Sequence, residues 1–167
     1  TVRVDLKDFK ITYEADGKVL TNIGFRNLGY MQYDRATLTK FPEPNYMAAQ
    51  YQPYMVAELS LDPGECVYGL GERFTAFVKN GQVVDVWNED GGTASQISYK
   101  NIPFYVTSKH YGVFVDHSDN VSFEVASEKV ENVGFSVKGE EIRYHVIYGD
   151  DIKGVLETYT DLTGKPA

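Results

Sequence analysis

Hydrophobic and polar residues alternate along most of this chain, with the two-residue period of half-buried strands. Val2-Arg3-Val4-Asp5-Leu6 alternates cleanly, and Phe9, Ile11 and Tyr13 share a parity. Asp16-Gly17 supplies a turn before Lys18-Val19-Leu20. Met55, Ala57, Leu59 and Leu61 interleave with Val56, Glu58 and Ser60, and Pro63-Gly64 closes that run. The same pattern predicts strands over Val83–Trp87, Phe104–Thr107, Gly112–Asp116, Val121–Val125, Val133–Val137 and Ile142–Tyr148. Gly, Asp, Asn and Ser fill the separators, as turns require. Residues 21–54 keep no sustained period, and fit either a long irregular connection or short edge strands.

One segment repeats at helical spacing: Ile152, Val155, Leu156, Tyr159 and Leu162. Asp150 or Asp151 can cap its start, and Gly164 then Pro166 supply its stop. Many short strands followed by one helix predict an all-β, antiparallel β-sandwich with a single C-terminal helix. A length of 167 residues suits one domain spanning 1–167.

Composition narrows the partners. The net charge of -8 and the lack of any basic stripe exclude nucleic acid and anionic membrane surfaces as expected partners. A neutral ligand such as a sugar is not repelled. No stretch approaches the ~18 apolar residues of a membrane span, and no signal peptide is evident. Tyr accounts for 13 residues, and its amphipathic ring suits half-buried strand positions first and sugar contacts second. The lone Cys66 allows no intrachain disulfide and no cysteine metal site, and its apolar neighbours suggest a buried thiol. The chain starts at Thr1 rather than Met, which suggests a piece of a longer protein.

Motifs of known chemistry mostly fail on inspection. Gly69-Leu70-Gly71-Glu72-Arg73-Phe74 has Phe where a dinucleotide fingerprint needs its third glycine, and no helical pattern follows. It reads better as a tight backbone passage, with Glu72 and Arg73 forming an ion pair that holds a loop. Asn88-Glu89-Asp90-Gly91-Gly92-Thr93 puts Val86 and Ile97 where a calcium loop needs oxygen ligands. What remains is an acidic, glycine-rich loop able to bind sugar hydroxyls or simply to turn in solvent. His110, His117 and His145 show no metal-ligand spacing, and no nucleophile elbow is present. Asp85, Glu89 and Asp90 are close in sequence, but nothing in the pattern makes two of them converge on a sugar. Neither a metal nor a cofactor is expected.

An ordered set of strings carries a resemblance. It comprises Val67-Tyr68-Gly69-Leu70-Gly71-Glu72-Arg73-Phe74-Thr75, Lys79-Asn80-Gly81-Gln82 and Trp87-Asn88-Glu89-Asp90-Gly91-Gly92-Thr93. Lys100-Asn101-Ile102-Pro103-Phe104-Tyr105, Tyr111-Gly112-Val113-Phe114-Val115, Tyr159-Thr160 and Thr163-Gly164-Lys165-Pro166-Ala167 complete it. In this order the chain resembles the family 31 glycoside hydrolases, especially bacterial α-xylosidases. The likeness is strong from about Leu59 onward and thin before it, where only Asn45-Tyr46-Met47 and the Met55–Leu61 run align.

The resemblance implies a galactose-mutarotase-like supersandwich preceding a catalytic (β/α)8 barrel, which would begin after residue 167. It implies a retaining α-xylosidase or α-glucosidase acting on carbohydrate, with both catalytic carboxylates in the barrel and none here. The domain would pack on that barrel and lend it a loop. Residue by residue, Asp90 is carried over as a sugar-hydroxyl contact, with Gly91, Thr93 and Trp87 beside it. The fragment alone is expected to be inactive, and the parent enzyme bacterial and cytoplasmic. Two other readings stand against this one: a stand-alone carbohydrate-binding module using Trp87 or Tyr99 as a platform, and a mutarotase-type epimerase with a His and Glu pair in the sandwich cleft.

Overall fold

The computed structural model describes residues 1–34, 51–90 and 98–165. Among them, twelve strands precede one helix. Three strands form a first sheet in the order β1 (Val2–Asp5), β2 (Lys10–Ala15), β3 (Lys18–Gly24). A five-stranded sheet follows the order β4 (Leu28–Asp34), β5 (Tyr51–Ser60), β11 (Asn132–Lys138), β10 (Val121–Val125), β7 (Gln82–Val86). A four-stranded sheet runs β12 (Tyr144–Tyr148), β9 (Tyr111–Val115), β8 (Phe104–Thr107), β6 (Val67–Gly69). All the pairings are antiparallel.

The alternation seen in the sequence is the packing rule of the two larger sheets, but not of β1, whose alternating Val2 and Val4 are both exposed because β1 is an edge strand bonded to β2 alone. Val121, Phe123 and Val125 of β10 are fully buried, while Ser122 and Glu124 between them face outward. Val133, Phe135 and Val137 do the same on β11, in register with Leu59, Ala57 and Met55 of β5. From the facing sheet come Tyr105, Tyr111, Val113 and Val115, and the two inner faces share one core. Full burial of each such side chain is worth about 1.5–3 kcal/mol, so the register is strongly fixed.

β8 breaks the alternation for a physical reason. All four of its residues are buried, because α1 (Ile152–Thr163) covers the outer face of its sheet. Phe104 and Val106 point to the helix and join Ile147 and Val155 in a second, smaller core. The Phe104 ring stacks on Tyr159 with centroids 4.0 Å apart and planes 5° apart. Gly112 makes room: a Cβ there would lie 2.6 Å from the Phe104 ring. The helix starts where its sequence suggests, with Asp151 accepting a hydrogen bond from the Gly154 amide at 2.7 Å. It ends at Gly164, at φ 102°, whose N–H reaches the Thr160 carbonyl.

Residues 21–54 hold more strand than their pattern shows. β3 continues to Gly24, a short 3-10 turn covers Phe25–Asn27, and β4 follows. β4 is an edge strand bonded to β5 alone, with Tyr30 and Met31 exposed, so burial imposes little alternation on it. The Asn45-Tyr46-Met47 string lies outside the described residues. β6 has three residues, too few for a period to show. Cys66 is half-buried rather than buried, because it sits just before β6 near the turn at Gly64, whose carbonyl is 3.8 Å from its Sγ.

Candidate functional site

The end of β7 and the start of β8 hold the segment singled out from the sequence. Its foundation is the Gly69-Leu70-Gly71 passage, where three consecutive residues take positive φ: 106°, 64° and 87°. A left-handed Leu70 costs about 1–2 kcal/mol. Its fully buried side chain and its N–H bond to the Phe104 carbonyl at 2.9 Å offset that strain. Gly71 lies backbone to backbone on the segment before β8. A Cβ at Gly71 would overlap the Lys100 carbonyl and come within 2.9 Å of Asn101 Cα and Ile102 N. The Glu72 N–H donates to that same Lys100 carbonyl at 2.9 Å. The tight passage read from the sequence is therefore present.

The Glu72–Arg73 ion pair read beside it is not. Glu72 is exposed and pairs with the exposed Lys100 at 2.8 Å, a surface contact of little worth. Arg73 turns inward instead. Its Nε donates to the Leu70 carbonyl at 3.1 Å, and its Nη2 reaches the Asp85 carbonyl and Asn101 Oδ1. The two neighbouring charges thus take separate partners, Glu72 at the surface and Arg73 in the layer beneath. Burial pulls the Arg73 pKa down, and the nearby Asp85 carboxylate opposes that shift.

Asn101 is the hub of the next layer. Its Nδ2 lies 2.7 Å from the Trp87 carbonyl, 3.1 Å from Asn88 Oδ1 and 2.5 Å from the Ser98 carbonyl. Its backbone N–H donates to Asn88 Oδ1 at 3.0 Å. The Glu89 N–H donates to the Ser98 carbonyl at 3.0 Å, beside an isolated bridge between Asn88 and Ser98. Ser98 Oγ donates to the Glu72 carbonyl, which ties the layer back to the glycine passage.

This base carries an arm, the exposed segment Trp87–Asp90. Trp87 is 51% exposed, and Asp90 is exposed with no hydrogen bond or ion pair to any described residue. Gly91 and Thr93, expected beside them, lie outside the described residues. Below Trp87 opens a cleft of about 310 Å³ lined by Val86, Trp87, Asn88, Asn101, Pro103, His117, Ser118 and Asp119. Exposed apolar side chains surround the arm's base in sequence: Phe74, Phe77 (which packs on Tyr68), Tyr99 and Ile102. Neither Asn101 nor the inward turn of Arg73 was readable as a site. Their only signal is that both lie in the strings that carry the family resemblance.

Among the described residues the histidines assemble no epimerase pair. His110 Nδ1 meets the Asp150 carbonyl at 2.9 Å. His145 lies against Phe114, with Nε2 3.8 Å from Asp116. Among the described residues no histidine is hydrogen-bonded or ion-paired to a glutamate. Nor does any group of three or more His, Cys, Asp or Glu side chains gather as a metal site there. No helix among the described residues is long and apolar enough to cross a membrane.

Comparison with known proteins bears on the same residues. Residues 1–124 match the family described as the glycosyl hydrolase 31 N-terminal galactose mutarotase-like domain. An α-xylosidase of Emericella nidulans is 51% identical over 163 residues, covering 95% of this chain and 21% of that relative. The α-xylosidase XylQ of Lactiplantibacillus pentosus is 61% identical over 111 residues, covering 66% of this chain and 15% of that relative. Among solved structures, the Flavobacterium johnsoniae GH31 dextranase complexed with glucose superposes with a TM-score of 0.75 at 25% identity. That match covers 99% of this chain and 19% of the dextranase. The chain thus spans about a fifth of the length of these relatives or less.

Proposed function

The chain belongs to the amino-terminal, galactose-mutarotase-like domain family of glycoside hydrolase 31, and from that premise we propose that it serves a retaining α-glycosidase of the α-xylosidase type. In this reading residues 1–167 form one β-sandwich domain, and a catalytic barrel elsewhere in the enzyme carries the acid/base and the nucleophile. The domain packs on the barrel and extends its Trp87–Asp90 arm, with Gly91 and Thr93, over the sugar. The identity to two α-xylosidases favours an α-xyloside over an α-glucoside as substrate. A single cysteine suits a cytoplasmic setting, where thiols stay reduced.

One observation carries the role of the arm: an exposed Asp90 carboxylate, unpaired among the described residues, set two residues beyond a side-chain network that fixes its base. A carboxylate accepts two hydroxyl hydrogen bonds and so orients a sugar ring. Asp90→Ala in the full-length enzyme is expected to lower kcat/KM for an aryl α-xyloside by about 10–100-fold, the loss of one charged hydrogen bond of roughly 1.5–3 kcal/mol. Unchanged kinetics would remove Asp90 from the site. The isolated chain is expected to turn over no aryl α-xyloside or α-glucoside, and measurable hydrolysis by the pure chain would refute the assignment of catalysis to the barrel.

A further inference from the structure

We propose that Asn101 is a positioning residue for substrate binding, acting through Asp90 by tying the base of the Trp87–Asp90 arm to Ser98. The inference rests on the reading of Asp90 given above and extends it to a residue whose side-chain amide is committed to protein partners. A side-chain amide has one acceptor oxygen and two N–H donors. In Asn101 all of them are spent on this junction: Oδ1 receives Arg73, and Nδ2 is shared among the Trp87 carbonyl, the Ser98 carbonyl and Asn88 Oδ1. The amide therefore bonds the carbonyls of Trp87 and Ser98 simultaneously and so ties the base of the Trp87–Asp90 arm to the segment before β8.

Backbone pairing alone holds this junction weakly. Among the described residues it consists of the Glu89 N–H to Ser98 bond and one isolated bridge. Asn101 adds its own backbone N–H to Asn88 Oδ1, two residues before Asp90. Asn101 is itself held by Arg73, which is anchored on the carbonyls of Leu70 and Asp85. The chain of contacts thus runs from the end of β7 and the glycine passage, through a planar guanidinium and a planar amide, to the base of Asp90. Misplacing a binding group by about 1 Å can cost a hundredfold in rate even when the changed residue is remote from the chemistry.

The test is a double-mutant cycle in the full-length enzyme, with kcat and KM for an aryl α-xyloside and the thermal midpoint as readouts. Asn101→Ala is expected to lower kcat/KM by about 10-fold when Asp90 is present, and by less than about twofold in the Asp90→Ala background. The same factor in both backgrounds overturns the proposal, because Asn101 then acts independently of Asp90. No effect when Asp90 is present overturns it as well. If Asp90→Ala alone changes nothing, the parent reading fails and this one falls with it, an outcome distinct from the other two. Where Asn101→Ala does not fold, the exposed Asn88→Ala takes its place in the cycle, since it removes the acceptor that Asn101 bonds through both nitrogens, and the same criteria apply.

Discussion

Gly71→Ala and Gly64→Ala form a matched pair that separates strain from collision. Both glycines take similar positive φ, 87° and 80°. An L-residue there costs about 1–2 kcal/mol at either position. At Gly64 nothing lies within 4 Å of the added Cβ, so strain is the whole cost. At Gly71 the Cβ meets the backbone of Lys100, Asn101 and Ile102, none of which can swing aside. Relief requires parting the glycine passage from the segment before β8, at an overpacking cost of about 1–3 kcal/mol. It also breaks the Glu72 to Lys100 hydrogen bond, worth ~1 kcal/mol. The expected losses are about 3–6 kcal/mol for Gly71→Ala against about 1–2 kcal/mol for Gly64→Ala. Urea unfolding of both variants measures them, with circular dichroism reporting the fold as a whole. Trp87, the only tryptophan, reports the region beside Asn101 by fluorescence. Equal losses at the two positions would refute the collision argument.

Two further outcomes concern stability. Tyr105, Tyr111 and Tyr144 have phenol pKa values raised, chiefly by burial, above the usual value near 10. Below that pH both folded and unfolded phenols keep their protons and stability is flat. Above it the unfolded chain ionises first, so stability falls, by about 1.4 kcal/mol per pH unit for each of the buried Tyr105 and Tyr111 and by less for the more exposed Tyr144. A phenolate titration should show these residues ionising only as the circular dichroism is lost, and ordinary titration in the intact fold would contradict the burial argument. Asp151→Ala removes the helix cap and should cost about 1 kcal/mol, with amide exchange rising first at Gly154. Unaltered exchange there would mean that the packing of Val155 and Tyr159 alone fixes the helix start.

With the exception of β1, which alternates cleanly in sequence with all four residues exposed, the legible parts of the fold were those where one face of an element is buried and the other is wet. β10 and β11 show it: their buried valines and phenylalanines recur at period two because each outward neighbour meets solvent or polar side chains. The helix was legible because Val155 and Tyr159 must meet the sheet at period 3.6 while their neighbours stay exposed. β4 and β6 were not, since an edge strand and a three-residue strand carry too little burial contrast to mark themselves. At the candidate site, composition located the acidic loop but assigned the wrong partner to Arg73. Adjacent opposite charges in sequence read as a pair, whereas in the fold Glu72 pairs with Lys100 and Arg73 bonds Asn101. Asn101 carries no local signal at all. An asparagine between Lys and Ile-Pro reads as a turn residue, and only three dimensions show its amide spanning residues 87 and 98.

The exposure of Asp90 has a consequence for where binding energy can arise. A carboxylate in open water gains little from a hydroxyl partner, because water offers the same hydrogen bond. The same contact strengthens when a second surface closes over it and lowers the local dielectric. In this chain nothing among the described residues covers Asp90, and Trp87, Tyr99 and Phe77 are likewise half or more exposed. Under the proposed reading, the surface that excludes water belongs to the barrel, and the arm is rigid at its base so that little ordering is left to do when the sugar binds. The isolated chain should then bind xylose or xyloglucan fragments too weakly for calorimetry to resolve, although the base of the arm at Trp87 and Asn88 is already held. Saturable binding of a xyloglucan fragment by the chain alone, lost on Trp87→Ala, would instead support the carbohydrate-binding-module reading, with the indole rather than Asp90 as the principal contact.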